Sequence, residues 1–286
     1  MENYELAVVR STAIVVGLGS LAVMTRGRTV RMLVRRFGGD GPQRGPDDLI
    51  VEEPMEIRLD DKVVTTTMRT PGHDFELAAG FCFSDGLLAG APITGVRYCA
   101  TAPAVDSDFN VVTVETGGMA PVPAARLSTT TSSCGLCGTA DLAAVGNRLK
   151  PLTNLTPIAL GVLAAVPDRV RAAQGLFDAT GGVHAAAAVT PSGEPLVVRE
   201  DIGRHNAVDK VIGRLLLDGD LPAGGLGLFV SGRASFEIVV KAWAAGFSAV
   251  VAVSAPSALA VDTARAAGLT LVGFAREGRL NVYAPA

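Results

Sequence analysis

The chain has 286 residues, of which 49% are hydrophobic and 19% are charged, and its formal net charge is -3. This composition is typical of a globular protein, and the small negative charge argues against a general nucleic-acid binder, which is usually basic. The 4 cysteines are too few for a disulfide scaffold, so reduced thiols in a cytoplasm are the expected state. We therefore expect a cytoplasmic protein with one large domain or two smaller ones.

Residues 1–24 are predicted to be a loosely attached N-terminal extension, with Met24 as an alternative natural start. Their apolar run from Ala13 is shorter than the ~20 residues of a transmembrane helix, and it lacks the basic start of a signal peptide. Residues 13–22 match the G-x-G-x-x-A dinucleotide pattern, but Gly27 interrupts the helix that such a site requires. We therefore expect no membrane insertion, and the dinucleotide match is weak.

Residues 25–126 are predicted to form a β-rich N-terminal part. A Gly/Pro/Asp-rich stretch predicts a loop at 38–48, and a helix is predicted from His73 to Leu88. Alternating apolar residues predict strands at 29–36, 49–51, 55–59, 62–68, 96–100 and 109–115.

Residues 127–286 are predicted to form an α/β domain. A long helix is expected from Pro157 to Asp178, with Thr156 as its N-cap. A strand hairpin (183–190 and 195–198) follows, and then helices at 206–217, 235–245 and 257–267 alternate with strands at 226–230, 249–254 and 269–274. Such alternation predicts parallel strands with crossover helices, and ligand-binding loops at the carboxyl ends of the strands.

The segment from Thr130 to Gly138 contains Cys134 and Cys137 among glycine and hydroxyl residues. Glycines keep the sulfur atoms accessible, and the helix-like run 139–149 behind them would stabilise a thiolate. These features predict a sulfur nucleophile that carries a persulfide. Two alternatives remain open, a structural zinc site completed by a histidine and a thioredoxin-like dithiol exchange.

Polar clusters also lie where loops meet the alternating core. Their guanidinium and backbone donors suit phosphate or carboxylate groups, although helix capping and surface charge would also explain them. Together they predict a phosphate-bearing ligand, other than nucleic acid, near the reactive sulfur. The clusters are residues 199–210 with Arg204 and His205, residues 231–237 with Arg233, and residues 274–279 with Arg276 and Arg279.

Five motifs in order and spacing carry a family resemblance over about 29–283, nearly the whole chain. They are residues 69–81, Ser133-Cys134-Gly135-Leu136-Cys137-Gly138, residues 200–210, residues 231–237, and residues 274–276 with 281–283. In these motifs the chain resembles the FdhD family of formate dehydrogenase accessory sulfurtransferases. Residues 1–24 lie outside the match.

The resemblance implies a fold similar to cytidine deaminases, a mixed α/β sheet flanked by helices, in a homodimer. It implies a cytoplasmic carrier that accepts sulfur from a cysteine desulfurase. The carrier would pass this sulfur to the molybdenum cofactor, in its bis-molybdopterin guanine dinucleotide form, before formate dehydrogenase receives it. By position, Cys134 would carry the persulfide with Cys137 as its partner. The cofactor would contact Phe274, Ala275, Arg276, Glu277, Gly278 and Arg279, with Arg204, His205 and Arg233 as further candidates.

The resemblance implies a deaminase-like fold, but the sequence lacks the motifs of the zinc deaminases. Zinc deaminases need His-x-Glu and Pro-Cys-x-x-Cys. Here Ser133 replaces the proline, and no histidine is followed by glutamate two residues later. We therefore expect neither deamination nor a catalytic metal. The leading alternative function is a chaperone that binds the molybdenum cofactor without moving sulfur.

Overall fold

The computed structural model describes residues 27–38, 41–99, 109–123, 149–153 and 155–285, together with the backbone of two short strands near the N-terminus. These short strands, β1 (Val8–Val9) and β2 (Thr12–Ala13), pair antiparallel. A longer antiparallel hairpin consists of β3 (Thr29–Gly38) and β4 (Gly41–Ile50). This hairpin is separate from the two larger sheets.

A four-stranded sheet forms the N-terminal part of the fold. Its strands are β5 (Glu53–Leu59), β6 (Lys62–Arg69), β7 (Gly95–Tyr98) and β8 (Val111–Glu115), in the order β6-β5-β8-β7. The central pair, β5 and β8, is parallel, and the outer pairs are antiparallel. Helix α1 (Asp74–Ser84) covers this sheet, and the core contains Met55, Ile57, Leu77, Val112 and Val114.

A six-stranded mixed sheet forms the C-terminal part, in the order β10-β9-β11-β12-β13-β14. The central strands β11, β12 and β13 are parallel, whereas β9, β10 and β14 each run antiparallel to their inner neighbour. The strands are β9 (His184–Val189), β10 (Pro195–Asp201), β11 (Gly227–Val230), β12 (Ala249–Ala252), β13 (Thr270–Arg276) and β14 (Arg279–Ala284).

Helices cover both faces of the six-stranded sheet. Helices α4 (Arg204–Asp218), α5 (Phe236–Ala245) and α6 (Ala258–Ala267) pack on one face, and α2 (Leu160–Arg171), which precedes the short α3 (Gly175–Thr180), packs on the other. Side chains of a strand alternate between faces. In β11, Leu228 and Val230 therefore join the core under α4 to α6, and Phe229 joins the core under α2.

The two sheets are joined where α1 crosses α4. A Cβ atom on Gly80 would lie 1.9 Å from the carbonyl oxygen of Asp209, and one on Gly213 would lie 1.8 Å from the carbonyl oxygen of Glu76. Only glycine allows two helix backbones to approach this closely. The crossing therefore holds the N-terminal sheet against the C-terminal sheet at a fixed distance.

The predicted loop at 38–48 is wrong, because most of it forms strand β4. Its backbone pairs with β3 in continuous register, and the Arg31 guanidinium binds the Asp48 carboxylate across the ribbon. Glycine and proline weaken central strands, but a two-stranded ribbon has only edge strands, where both residues are tolerated. The composition of this segment therefore gave no indication that it pairs with β3.

The predicted helix from Pro157 to Asp178 is also wrong as a single element. Helix α2 begins only at Leu160, and the chain turns after Arg171 before α3 begins. The N–H groups of Leu176 and Phe177 at the start of α3 donate to a carboxylate from another part of the chain, as described below. This contact with a distant residue favours a new helix start.

The C-terminal hairpin was incompletely predicted. Strand β13 continues to Arg276, beyond the expected end at Phe274, and the chain then returns as β14. Glu277 and Gly278 make the turn with positive φ angles of 52° and 70°. Residues 274–279 are therefore a hairpin end and not a loop that follows the last strand.

The expected architecture, a mixed α/β fold with a β-rich N-terminal part, is confirmed. The expected parallel pairing holds for β11, β12 and β13. The domain boundary between residues 126 and 127 lies outside the described residues and stays a prediction. None of the helices in the described ranges has the length and apolar character that a membrane span requires.

Candidate functional site

The three polar clusters of the C-terminal part meet at one edge of the six-stranded sheet. They are residues 199–210, 231–237 and 274–279. The parallel strands end there, at Val230 and Ala252, and β13 ends at Arg276. Because β9 is antiparallel to β11 and β10 is antiparallel to β9, the start of β9 and the end of β10 lie at the same edge. His184 accordingly pairs in register with Asp201. The topology therefore brings together loops that are far apart in sequence.

A cleft of about 590 Å³ opens between this edge and the α2–α3 segment. A volume of ~300–1,000 Å³ is usual for small-molecule sites. From the sheet edge, the cleft is lined by His184, Ile202, Ser231, Ala275 and Arg276. The opposite wall includes Arg171, Gln174 and Phe177. Of the residues predicted to bind a ligand, Ala275 and Arg276 line this cleft.

His184 lies among cationic groups beside the cleft. Burial, together with the charges of Arg204, His205 and Arg233, lowers the pKa of the His184 imidazole. A Cβ atom on Gly232 would contact the His184 ring at 3.4 Å and the Arg204 side chain at 3.8 Å. The His184 and Arg204 side chains therefore both lie next to the Gly232 backbone, and the positive field favours an anionic ligand.

Ser231 ties the loop after β11 to the start of β9. Its hydroxyl oxygen accepts a hydrogen bond from the Ala185 N–H at 2.9 Å. The same oxygen lies 3.5 Å from Nδ1 of His184. Ser231 therefore fixes the position of the imidazole at the wall of the cleft.

Three arginines near this edge keep guanidinium groups available. Nε of Arg204 is buried and has no hydrogen-bond partner in the described part of the chain. Within the same ranges, no hydrogen bond or ion pair of the side chain is found for Arg233 or Arg276, and both residues are exposed. Buried polar groups normally have partners, so a ligand that accepts hydrogen bonds would complete the Arg204 site.

The other predicted ligand-binding residues are less available. Arg279 is exposed and its guanidinium binds the Glu277 carboxylate at 2.5 Å. Nε2 of His205 lies 3.4 Å from the Ser235 hydroxyl and 3.6 Å from a carboxylate oxygen of Glu237. His205 is therefore directed at the start of α5, and Phe274 is 41% exposed. Arg279, His205 and Phe274 do not line the cleft.

Much of the charged segment 199–210 has a structural role. The buried Asp201 carboxylate accepts hydrogen bonds from the N–H groups of Thr70 at 3.1 Å and Gly203 at 2.8 Å. It also accepts from Asn206 Nδ2 at 3.0 Å and from Lys210 Nζ at 2.6 Å. These bonds hold the turn that leads from β10 into α4, and so they position Arg204 at the sheet edge.

Glu200, next in the chain to Asp201, positions the opposite wall of the cleft. Its carboxylate oxygens accept hydrogen bonds from the N–H groups of Leu176 at 2.9 Å and Phe177 at 2.8 Å. These donors belong to the first turn of α3, so Glu200 is the distant carboxylate that caps this helix. The cap stabilises a new helix start at the point where the predicted continuous helix is interrupted.

The N-terminal motif at residues 69–81 is also largely structural. The buried Arg69 guanidinium donates to Asp74 twice at 3.0 Å and to Glu53 at 3.2 Å. The backbone carbonyl of Thr70 accepts from Lys210 at 2.9 Å. This motif therefore connects the four-stranded sheet to the charged segment beside the cleft.

The predicted nucleophiles, Cys134 and Cys137, lie outside the described residues. Of the described cysteines, Cys82 is fully buried in α1, and burial raises the pKa of its thiol. A protonated, inaccessible thiol is a poor nucleophile. Within the described ranges, no group of three His, Cys, Asp or Glu side chains could hold a metal ion.

Sequence reasoning missed the wall of the cleft formed by Arg171, Gln174 and Phe177. All three fall inside the predicted helix from 157 to 178, where they read as ordinary helix residues. Their role depends on the break after α2 and on the cap from Glu200, which is 24 residues from Leu176. Gly175 is a local signal against a continuous helix here, but it does not indicate that these three residues face a cleft.

The fold is a mixed α/β fold with a cleft beside several arginines at one sheet edge, and comparisons with known proteins give the family of the chain. The FdhD/NarQ family model matches residues 50–286. The chain is 50% identical over 266 residues to the sulfur carrier protein FdhD of Streptomyces coelicolor, which covers 90% of this chain and 94% of that protein. It is 46% identical over 265 residues to the sulfur carrier protein FdhD of Mycobacterium tuberculosis, covering 89% and 96% respectively. The chain therefore belongs to the FdhD/NarQ family.

A solved structure supports the fold independently. This structure, assigned as a formate dehydrogenase accessory protein from Desulfotalea psychrophila, superposes with a TM-score of 0.69 at 23% identity. The similarity covers 91% of this chain and 98% of that chain. At this level of identity the likeness concerns the fold alone.

Proposed function

We propose that this chain is a sulfur carrier that supports the maturation of formate dehydrogenase. The observation that carries the proposal is the 50% identity, over 90% of this chain, to a curated sulfur carrier protein FdhD. In this proposal a cysteine desulfurase supplies the sulfur. The acceptor is the molybdenum cofactor in its bis-molybdopterin guanine dinucleotide form, bound here as a substrate. A homodimer in the cytoplasm is part of the same proposal.

Cys134 is the proposed carrier of the sulfur. Its thiolate attacks the terminal sulfur of the desulfurase persulfide and forms a new S–S bond. The S–S bond of the donor breaks, and the desulfurase cysteine leaves as a thiolate, so that Cys134 becomes a persulfide. Cys137 then either takes over the outer sulfur as a relay, or attacks the inner sulfur of Cys134, forms a disulfide and releases the outer sulfur as sulfide.

The cationic cleft is the proposed binding site for the acceptor. Its guanine dinucleotide phosphates are anionic, and Arg276 lines the cleft while Arg204 and Arg233 lie beside His184 at the same edge. Arginine matches phosphate oxygens with paired donors. Residues 274–279 contribute through Ala275 and Arg276, while Arg279 would need to leave Glu277 before it could bind a phosphate.

The first experiment is intact-mass measurement after incubation with a cysteine desulfurase and cysteine. We expect a gain of one sulfur atom, about 32 Da, that reductant removes and that Cys134→Ala abolishes. Cys82→Ala is the matched control and should keep the gain, because the Cys82 thiol is buried. No gain in the wild-type chain, with the dinucleotide cofactor still bound, would favour the alternative function of a cofactor-binding chaperone.

A further inference from the structure

The two-stranded ribbon of β3 and β4 exposes apolar side chains on both of its faces. Leu33 and Phe37 on one face are 71% and 79% exposed, and Val30 and Met32 on the other face are 42% and 50% exposed. Within the described residues, no third strand pairs with this ribbon. A lone two-stranded hairpin is only marginally stable in water, so a further strand would stabilise the ribbon.

The outer edge of β4 is closed to such a strand. Pro42 and Pro46 lack an N–H group, and a proline leaves the pairing with β3 intact only where its nitrogen faces away from β3. The carbonyl oxygen of Pro46 accepts a hydrogen bond from the Arg36 guanidinium at 2.8 Å. A Cβ atom on Gly45 would lie 2.7 Å from that guanidinium, so glycine gives the arginine room to reach this edge. The edge therefore lacks two donors and has one acceptor occupied, which prevents strand addition.

The outer edge of β3 is open. Pro42 is in register with Phe37 and Pro46 is in register with Leu33, so these two residues of β3 and others of the same alternation direct their backbone groups outward. The outward-facing residues are Arg31, Leu33, Arg35 and Phe37. In the described ranges, no group outside the ribbon bonds to their N–H or carbonyl groups. No proline interrupts β3, so this edge is a template for strand addition.

The charges along β3 restrict how a second copy of the chain can pair with this edge. In a two-fold dimer, β3 pairs antiparallel with itself, and because outward-facing residues must meet each other, the axis passes through a residue. An axis at Leu33 would place Arg31 opposite the partner's Arg35. An axis at Arg31, Arg35 or Arg36 would place that arginine opposite its own copy. Like charges directly opposite each other are destabilising, so these registers are disfavoured.

An axis at Val34 avoids every such pair of arginines. It pairs residues 30–38 with their copies, whereas an axis at Met32, which also avoids them, would pair only residues 29–35. With the axis at Val34, this side chain faces its own copy, and Leu33 faces the apolar stem of the partner's Arg35. Long arginine stems cover apolar surface while their charges stay in water. The pairing therefore covers exposed apolar side chains of the ribbon without opposing like charges.

We propose that two copies of this chain pair through the open edge of β3, with the two-fold axis at Val34. The four strands then form one antiparallel ribbon, in which the two β3 strands are central and the closed edges of the two β4 strands are outermost. The inference rests on the proposed function, which includes a homodimer, and it assigns the surface of that dimer. A ribbon with two closed edges accepts no further copy, so assembly stops at the dimer.

The test measures the mass of the full chain by sedimentation equilibrium. Leu33→Pro removes one outward-facing donor from β3 and keeps the pairing with β4, as Pro46 does on the opposite strand. We expect the mass to fall by half, from that of a dimer to that of a single chain. Arg44→Pro is the matched control, because Arg44 lies between Pro42 and Pro46 on the closed edge of β4 and should leave the dimer unchanged.

A cross-link tests the position of the axis separately. Facing residues of a non-hydrogen-bonded antiparallel pair have Cα atoms ~4.5 Å apart, which a disulfide can span. Val34→Cys should therefore form a covalent dimer on oxidation, beyond any that the wild type forms, and reductant should reverse it. Gln43→Cys on β4 is the matched control and should remain at the wild-type level, since two β3 strands separate the two β4 strands.

Three masses would overturn the inference. They are a monomeric wild type, a Leu33→Pro variant that stays dimeric, and an Arg44→Pro variant that dissociates as fully as Leu33→Pro. The first result also removes the homodimer from the proposed function, whereas the second leaves the homodimer and removes only this surface. A Val34→Cys chain that cross-links no more than the wild type would contradict the axis. The persulfide test of Cys134 does not depend on the oligomeric state, so the sulfur-carrier proposal fails or stands separately.

Discussion

Several charged side chains of this protein are buried against partners of opposite charge, and these partners affect their protonation. Glu76 in α1 is 8% exposed, and its carboxylate accepts hydrogen bonds from the Arg199 guanidinium at 2.5 and 2.8 Å. Nδ1 of His73 lies 3.4 Å from the same carboxylate. Burial alone would raise the pKa of Glu76, but the bonds from Arg199 and His73 and their charges outweigh it and lower the pKa to about 2.

This pair predicts a specific dependence of stability on pH. The folded-state pKa of Glu76 is lowered from its ordinary value of 4.5 to about 2, so unfolded chains take up the proton first as the pH falls. The contribution of Glu76 to the free energy of unfolding is therefore complete above pH 4.5 and is lost as the pH falls towards about 2. In urea unfolding across this window, Glu76→Gln should show a shallower loss of stability than the wild type. Parallel curves for the two proteins would contradict the assignment.

At the scale of elements, the crossing of α1 and α4 is decided by two glycines. The Cβ positions of Gly80 and Gly213 coincide with backbone carbonyl groups of the facing helix. Backbone cannot move aside as the end of a flexible side chain can, so the helices would have to separate. This separation would also disturb the polar contacts of Asp209, whose carboxylate binds Lys241 Nζ at 2.8 and 3.0 Å.

Gly80→Ala should therefore destabilise the protein by about 3 kcal/mol, the upper end of the usual cost of overpacking. The matched control is Gly161→Ala in α2, where an added Cβ would have no neighbour within 4 Å. That variant should be neutral or should gain up to about 1 kcal/mol, because alanine restricts the unfolded chain. Urea denaturation gives the free energy of unfolding of each variant and so measures the effect of each substitution. Equal effects of the two substitutions would show that the helix crossing is not close-packed.

At the scale of the whole molecule, buried polar contacts connect the four-stranded sheet to the ligand cleft. Thr70, directly after β6, donates its N–H to Asp201 and accepts from Lys210 through its carbonyl. The Asp201 and Lys210 side chains are both 0% exposed and lie 2.6 Å apart. The same carboxylate holds the turn that presents Arg204, so folding of the N-terminal part and the shape of the cleft are coupled.

Lys210→Met should destabilise the whole protein by about 3–5 kcal/mol, because it leaves the Asp201 carboxylate buried without its counter-charge. The double variant Asp201→Asn with Lys210→Met should recover part of this loss, since no buried charge remains. Substitution of Arg31 in the exposed ion pair with Asp48 is the surface control and should leave the unfolding midpoint unchanged. A Lys210→Met protein as stable as the wild type would contradict the buried ion pair.

Sequence reasoning was most successful where structure depends on neighbours in the chain. Helices α5 and α6 and strands β11 and β12 were predicted within a few residues, because hydrophobic periodicity and the serine before each helix are local signals. The alternation of these elements also led to the correct expectation that loops meet at the carboxyl edge of parallel strands. This expectation singled out Arg276 as a candidate ligand-binding residue, and the structure places it at the cleft.

The features that the sequence did not predict depend on contacts between residues far apart in the chain. Strand β4 is stabilised by pairing with β3, and the start of α3 is capped by Glu200. The charged segment 199–210 was expected to bind a ligand, yet Asp201 is occupied by Thr70, which is 131 residues away. Such pairings are set by the tertiary arrangement, since no local pattern records which distant group will meet a given side chain.

The sequence by itself determined the family, the mixed α/β class and the candidate chemistry of Cys134, because motifs, periodicity and residue types are properties of the chain. Only the tertiary structure decided which charged side chains are paired within the fold and which remain available to a ligand. It placed Gln174 and Phe177 opposite Arg276, because the two walls of the cleft come from segments that meet only after the sheet has formed. Exposure and hydrogen-bond partners, which separate a ligand-binding arginine from a structural one, exist only in the folded molecule.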